Sequence, residues 1–570
     1  MSPKDHAPTG AIPIAGHALD APDDPVDDSR RRTMILWAMC ASLIAVVASV
    51  SGLNVAQQDL ALDLGASQSD LLWVINGYTI ALAALLLPLG AIGDRFGRKK
   101  LLVGGLVLFV VANLAAATAG SVGFLLASRI AAGVAAAMIM PATLSMITST
   151  FPAEERDRAI GVWAGVAGAG GILGLFSSSV VVDNFTWPWV FALPVAVALV
   201  GLGMTVLAAP HSHEHTEARF DTVGSILSAL AVGALVLGIH EGPEAGWTAG
   251  LTVAALTVGL ISAIWFVVHE LRFEHPLLDV AVFRDRLLAS GSVTLLIAFG
   301  VMSGLFLVLV QYLQVVLGYS AIQASASLIP MAAVMMPLSA IAPLIARRVG
   351  PRVMFVSGMT LMAAGLAAMA TMASVEGGYW SIAPGLLVLA VGIGLVMTPG
   401  TTAITGSLPP EEQGVASALN DTVREVGAAV GVALLGSIMA AGYSSSVAPA
   451  TEGLPPEAAH AVEEGIGGAV GASMAMTEAG FGDLAEQVMA HAKTAFLDGW
   501  TMSMWVSAAL ALATAALAAL WTPGRRNAEG PPTELGSSAG GPVEALSENA
   551  QLESVSSSLR SSPEGSSGTM

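Results

Sequence analysis

Gly90-Ala-Ile-Gly-Asp94-Arg95-Phe-Gly97-Arg98-Lys99-Lys100 is a charged turn set between two apolar blocks, approximately 70–92 and 101–119. Each block is about long enough to cross a hydrocarbon core of about 30 Å as an α-helix. The turn therefore reads as a short loop joining two antiparallel spans. Its basic residues place it on one side of a bilayer. A related stretch, Leu344-Ile-Ala-Arg-Arg348-Val-Gly350-Pro-Arg352-Val-Met-Phe-Val-Ser-Gly358, falls between two later blocks, 253 residues on (91 to 344). Phe151-Pro-Ala-Glu154-Glu155 and Leu408-Pro-Pro-Glu411-Glu412 make a second pair, 257 residues apart (151 to 408). Two near-equal offsets at matching points predict a six-helix unit used twice. The offset holds two spans too many for direct succession, so a seventh and an eighth span are inserted between the units.

Composition agrees. Of 570 residues 54% are hydrophobic and only 11% charged, with a mean hydropathy of +0.73, where a soluble chain carries about a quarter charged residues. Fourteen apolar blocks are expected, near 34–56, 70–92, 101–119, 122–147, 159–181, 188–209, 222–240, 249–270, 288–314, 323–346, 353–374, 380–406, 414–441 and 499–521. The basic residues test the count. Arg30–Arg32, Arg95, Arg98, Lys99, Lys100, Arg156, Arg158, Arg219, Arg272, Arg284 and Arg286 share one side with Arg347, Arg348, Arg352, Arg525 and Arg526. Only Lys493 falls on the other. By the positive-inside rule both termini are cytoplasmic.

The net charge of −19 does not imply a basic partner, because much of the acid lies in the N-terminal tail, the 442–498 loop and the C-terminal tail, where it keeps surfaces soluble. Cys40 is the only cysteine, which excludes an internal disulfide or a thiol metal cluster. The first apolar run follows a polar, Pro- and Asp-rich start, unlike a cleaved signal peptide. The expected organisation is a disordered cytoplasmic tail (1–33), a six-helix bundle (34–209) and two linker helices (222–270). A second bundle (288–521) with an external loop (442–498) and a disordered cytoplasmic tail (522–570) completes it.

The 90–100 turn resembles the loop signature of the major facilitator superfamily, and Leu126-Ala-Ser-Arg129-Ile-Ala-Ala-Gly133 resembles its fourth-helix motif. Six plus two plus six helices is similar to the fourteen-helix drug:proton antiporter branch. His275-Pro-Leu-Leu-Asp279 and Gln311-Tyr-Leu-Gln314-Val-Val-Leu-Gly318 also look like that branch. The antiporter motif of the fifth span keeps Gly161, Gly170 and Gly174, but has Leu175 for the following Pro and Ser178-Ser179 for the closing Gly pair. In the first span Ser49 stands where the branch carries an Asp, ahead of Asn54-Val55-Ala56, and Asn76 replaces a position acidic in some members. The resemblance implies an all-α major facilitator fold and proton-coupled antiport that exports small lipophilic compounds by alternating access. It implies a monomer in the cell membrane that needs no cofactor or metal and binds no nucleic acid. Its partners would be the substrate, protons and the bilayer.

Charges inside spans cost about 2.5–3.5 kcal/mol each on insertion scales, so each needs a reason. Glu425 lies about twelve residues into the thirteenth span, and Asp421 is one turn earlier on the same face. Desolvation disfavours a charged carboxyl, so Glu425, then Asp421, are candidates for proton exchange. A structural ion pair with Arg424 is the alternative. For Arg129 the resemblance implies a cavity-facing role in proton transfer; snorkelling to headgroups is the alternative. For Gly90, Asp94, Arg95, Gly97 and Arg98 it implies a conformational latch, the acid resting on the positive N-terminal end of the thirteenth helix; a turn serving topology alone is the alternative.

Gly165, Gly168, Gly170, Gly171 and Gly174 lie within a span, where small residues permit close helix packing. No phosphate loop ending in Lys-Ser/Thr occurs, which removes ATP as the driving force in this chain. Trp73, Asn76, Tyr78, Trp163, Gln311, Tyr312 and Gln314 are candidates for the substrate cavity, with interfacial anchoring as the competing role. Arg129 and Arg424 with few acids suit a neutral or zwitterionic compound at least as well as a cation. A facilitator or importer on the same fold is the nearest rival function. An enzyme is disfavoured because the histidines sit in tails, loops or span ends (His211, His213, His215, His240, His269, His275).

Overall fold

In hydrocarbon a backbone must satisfy its own amides, and an uninterrupted apolar segment does so as an α-helix. The computed structural model describes Val26, Asp28 and residues 29–210, 220–451 and 454–524. Among these residues 14 helices are long and apolar enough to cross a membrane. In chain order they are α1 (Ser29–Leu53), α2 (Ser69–Phe96), α3 (Arg98–Ala117), α4 (Val122–Thr150) and α5 (Ala153–Asn184). Next come α6 (Trp187–Ala208), α7 (Thr222–Ala245), α8 (Gly250–Glu270), α9 (Arg286–Val316) and α10 (Ala321–Val349). The last four are α11 (Pro351–Met372), α12 (Ala383–Thr405), α13 (Pro410–Val447) and α14 (Gly482–Trp521). The terminal stretches 1–25 and 525–570, and His211, His213, His215 and Arg219, lie outside the described residues.

Helix α1 packs on α4, α5 and α6, and α4 also on α2 and α3. The second group repeats the scheme, α9 lying on α12, α13 and α14, and α11 on α12 and α14. The groups meet along α2–α13, α4–α13, α5–α10 and α5–α12, while α7 packs on α2, α8 and α13. Lipid tails are as apolar as Leu, so burial of apolar area does not drive this packing; close backbone approach does. Gly133 of α4 lies against the Tyr78 carbonyl, and Gly431 of α13 against the Gly300 backbone. Large apolar side chains face outward, Leu207 at 79% and Leu520 at 83% exposure; in water they would be an adhesive surface, and in a bilayer they meet their solvent.

The repeat has a backbone signature. Gly97 ends α2 at φ +105°, and Gly350 ends α10 at φ +85°, 253 residues later (97 to 350). Both values lie where a Cβ is disfavoured, and each lets the next helix start one residue later.

Two expected boundaries move. Helix α1 begins at Ser29 because Asp28 caps it, its carboxylate accepting from Arg30 N at 2.9 Å, so the last residues of the expected 1–33 tail are helical. The expected 442–498 loop is shorter, since α13 runs on to Val447 and α14 starts at Gly482. The early part of α14 is too polar to read as a span, but it buries an apolar face of Ala485, Val488, Ala492, Ala495 and Phe496 at helical spacing. Two short helices, Pro456–Glu464 and Ile466–Glu478, occupy the connection.

Candidate functional site

At one end of the molecule the 90–100 turn meets the start of α13. A helix start leaves its first N–H groups without intrahelical partners, and Glu412, before the helical run from Gln413, supplies no side-chain cap. Asp94 takes that place from another helix. Its Oδ1 accepts from Gly414 N at 2.8 Å and its Oδ2 from Val415 N at 3.0 Å. Arg98 Nε donates to Asp94 Oδ1 at 3.0 Å, and its Nη2 to the Pro410 carbonyl at 3.0 Å. Both side chains are buried, at 10% and 3% exposure. Gly90 allows the approach: a Cβ there would stand 2.6 Å from the Gly414 carbonyl oxygen. The Arg95 guanidinium lies 5.9 Å over the Phe96 ring.

The repeat places Arg347 where Asp94 stands, 253 residues on (94 to 347). Arg347 donates to Asp157 Oδ2 and to the Glu154 carbonyl, both at 3.3 Å, near the start of α5. The two groups thus contact each other at two related points, with the sign of the charge reversed.

In the interior, Arg129 of α4 is fully buried. Its guanidinium lies 4.3 Å over the Tyr78 ring and donates to Ser49 Oγ at 2.9 Å. Ser49 donates onward to Asn113 Oδ1 at 3.0 Å. The Nε of Arg129 has no partner among the described residues. The hydroxyl that replaces the branch's Asp therefore relays between a cation and an amide and adds no charge.

On α13, Arg424 contacts Asp421 Oδ1 at 3.3 Å and lies 4.4 Å over Phe299 and 5.4 Å over Trp163. Asn420 also donates to Asp421 Oδ1, at 3.1 Å. The pairing anticipated as an alternative for either acid is thus made by Asp421. Glu425, half-buried, has no hydrogen bond or ion pair among the described residues. Tyr78 of α2 is within electrostatic reach of both Arg129 and Glu425.

The glycines of α5 divide by face. A Cβ on Gly161 would stand 2.7 Å from the Ser339 carbonyl of α10, whereas one on Gly174 would stand 2.7 Å from Ala48 Cα of α1. Gly170 faces Val47 of α1 at 3.6 Å. Of the other candidates, Trp73 is half-buried on α2 and Asn76 is buried. Tyr312 is buried, its hydroxyl on the Ser374 carbonyl at 3.0 Å and its ring on Trp500. Gln314 is exposed within a π-helical turn, Tyr312–Val316. Gln311 lines a separate cavity at the end opposite the Asp94 turn. Asn113 and Asn420 carry no reading from the sequence; Asn113 is a lone amide in an apolar span, which is the signal that finds it, whereas Asn420 sits in a polar run with Asp421, Arg424 and Glu425 that hides it.

Two repeated six-helix groups joined across a buried charged interior define a polytopic secondary transporter, not an enzyme. The chain belongs to the major facilitator superfamily, whose family model matches residues 37–432. It is 33% identical to the multidrug efflux pump LfrA of Mycolicibacterium smegmatis, over 80% of this chain and 90% of that protein. It is 32% identical to the tetracenomycin C resistance and export protein of Streptomyces glaucescens, over 85% and 90%. The crystal structure of the human organic anion transporter MFSD10 shares the fold, with a TM-score of 0.54 at 13% identity, covering 86% of this chain and 99% of that one.

Proposed function

We propose that this protein is a proton-coupled antiporter that exports small lipophilic compounds, drugs or antibiotics among them, by alternating access. Relatives named as efflux and export proteins, at 32–33% identity over most of both chains, support the export reading. The observation that carries the coupling reading is Glu425. It lies twelve residues after α13 turns helical at Gln413, roughly 18 Å along the axis; among the described residues it makes no hydrogen bond or ion pair, Arg424 reaching it only through its field while its contact is with Asp421. A carboxyl free of a fixed partner at that depth can take and release a proton as access alternates. Asp421 is the second candidate and Arg129 the cation whose field its neighbours share. Asp94, with Gly90, Arg95, Gly97 and Arg98, is the latch of the closed cytoplasmic side.

In this reading 34–209 and 288–521 are the moving bundles and 222–270 the linker helices. The protein is a monomer in the cell membrane with both termini in the cytoplasm. The test is dye and antibiotic uptake into inverted vesicles under an inside-acidic gradient, wild type against Glu425→Gln. Uptake that collapses with the gradient and is lost in the variant supports antiport through Glu425. Undiminished gradient-driven uptake in Glu425→Gln moves the proton site elsewhere, and transport in the opposite direction assigns an importer.

A further inference from the structure

Four side-chain atoms near the start of α13 are buried with no hydrogen-bond partner among the described residues: Ser417 Oγ, Asn420 Oδ1, Asp421 Oδ2 and Arg424 Nε. They fall within eight residues, 417–424, between Gly414, on which Asp94 is seated, and Glu425. Ser417, Asn420 and Asp421 are fully buried and Arg424 nearly so. Buried polar groups are paired as a rule, so unpaired neighbours on one helix point to water or another hydrogen-bonding group among them. Thr422 turns its hydroxyl back to the Ala418 carbonyl at 2.8 Å, the ordinary arrangement inside a helix, and Ser417 does not. Asn420 and Arg424 both donate to Asp421 Oδ1, at 3.1 and 3.3 Å, which leaves Oδ2 as the free oxygen of that carboxylate.

Spacing identifies the occupant. Ser417, Asp421 and Glu425 follow at intervals of four residues and share a face. Each interval rises about 6 Å along the axis, close to the span of two O–H···O bonds of about 2.8 Å each, so a single water bridges each step. The face borders the seam between the bundles: Gly90 of α2 meets Gly414 and Ala418, and Arg424 lies against both Trp163 of α5 and Phe299 of α9. A hydroxyl both donates and accepts, which the relay of a proton requires. We propose that Ser417 and Asn420 form the cytoplasmic arm of the proton path, Ser417 as a relay and Asn420 as the residue that positions Asp421, an assignment that rests on Glu425 as the proton site. When the Asp94 contact parts, water enters along this face. The proton leaving the Glu425 carboxyl goes to water and then to Asp421 Oδ2. From there it passes through water and Ser417 Oγ to the cytoplasm, one O–H bond breaking as the next forms.

The first test uses the full chain in inverted vesicles with no gradient. A membrane-impermeant methanethiosulfonate reagent should modify Ser417→Cys roughly tenfold faster or more once Asp94→Asn is added, while the buried Cys40 stays silent. Equal rates with and without Asp94→Asn would overturn the proposal, because water would not reach this face through that contact. The second test follows proton release from the purified Asp94→Asn protein after an upward pH jump, with pyranine as the indicator. Glu425→Gln should remove one phase of the release. Ser417→Ala should slow that phase about tenfold, the loss of one link in the chain, and Asn420→Ala should slow it as well. Ser417→Thr should restore the parent rate, a recovery that a merely structural role for Ser417 would not tie to the hydroxyl. An unchanged rate in Ser417→Ala, or no recovery in Ser417→Thr, would refute the relay while leaving Glu425 in place. If Glu425→Gln removes no phase, the Glu425 reading fails and the relay with it.

Discussion

Asp94→Asn removes one charge from the contact between Asp94, Arg98 and the start of α13, the proposed latch, and the structure sets the size of the effect. The carboxylate accepts two backbone N–H groups, at 2.8 and 3.0 Å, and pairs with a buried Arg98 at 3.0 Å. Hydrogen bonds to a charged group contribute about 1.5–3 kcal/mol each, against about 0.5–1.5 for neutral ones. Asparagine offers one acceptor oxygen, and its amide then faces a donor. Weakening one bond, losing the other and leaving Arg98 without its anion costs the closed state about 3 kcal/mol, roughly a hundredfold in the closed-to-open ratio. A protein that is closed to about 99 parts in 100 would become evenly divided. Spin labels at Phe96→Cys and Glu411→Cys, both exposed positions, report the separation across this contact, and the buried Cys40 stays unlabelled. The distance distribution should gain a long component comparable in weight to the short one. A distribution unchanged from the parent would refute the assignment of the closing energy to Asp94.

Gly414→Ala and Gly174→Ala should fail differently. A Cβ on Gly414 would stand 2.5 Å from the Gly90 carbonyl and crowd Asp94, across the two groups, so the variant should fold and show the same long distance component; Gly174→Ala strikes Ala48 within one group and should lower the yield of folded protein on size exclusion. Arg424→Leu strands Asp421, which is fully buried, and breaking such a pair costs about 3–5 kcal/mol; the double variant with Asp421→Leu should recover most of the lost thermal stability, and no recovery would show the pair is not the unit. Ser49→Ala removes the hydroxyl between Arg129 and Asn113, a loss of about 1–3 kcal/mol in thermal unfolding, while Ser49→Asp should raise stability by giving Arg129 a counter-charge.

Span count, repeat and the 90–100 turn were legible because each rests on local composition or on a backbone demand, such as the left-handed Gly97 and Gly350. A helix over 483–494 was legible in the sequence, but its continuity with the last span was not, since Glu486, His491 and Lys493 on its other face make the stretch too polar to read as membrane and only the packed partner reveals one helix. The interior was half legible. Glu425 and Asp421 stand out as acids in an apolar run, but which of them Arg424 takes depends on side-chain direction across one turn. The choice fell to Asp421, three residues before Arg424 on the helix. Ser49 read as a missing charge; its role as a bridge needs Asn113, 64 residues away on another helix. The cavity at the opposite end draws its lining from five stretches of chain, and no single stretch carries its pattern.

The repeat leaves the two groups fastened by unequal clasps. Asp94 and Arg98 are nearly out of solvent, whereas Arg347 and Asp157 are 52% and 30% exposed, and ion pairs open to water contribute only about 0–1 kcal/mol. Opening the Asp94 end therefore means returning a buried charged pair to water, a cost that the exposed pair at the matching turn does not carry. The difference follows from a change of sign between two matching turns, an acid at 94 and a base at 347.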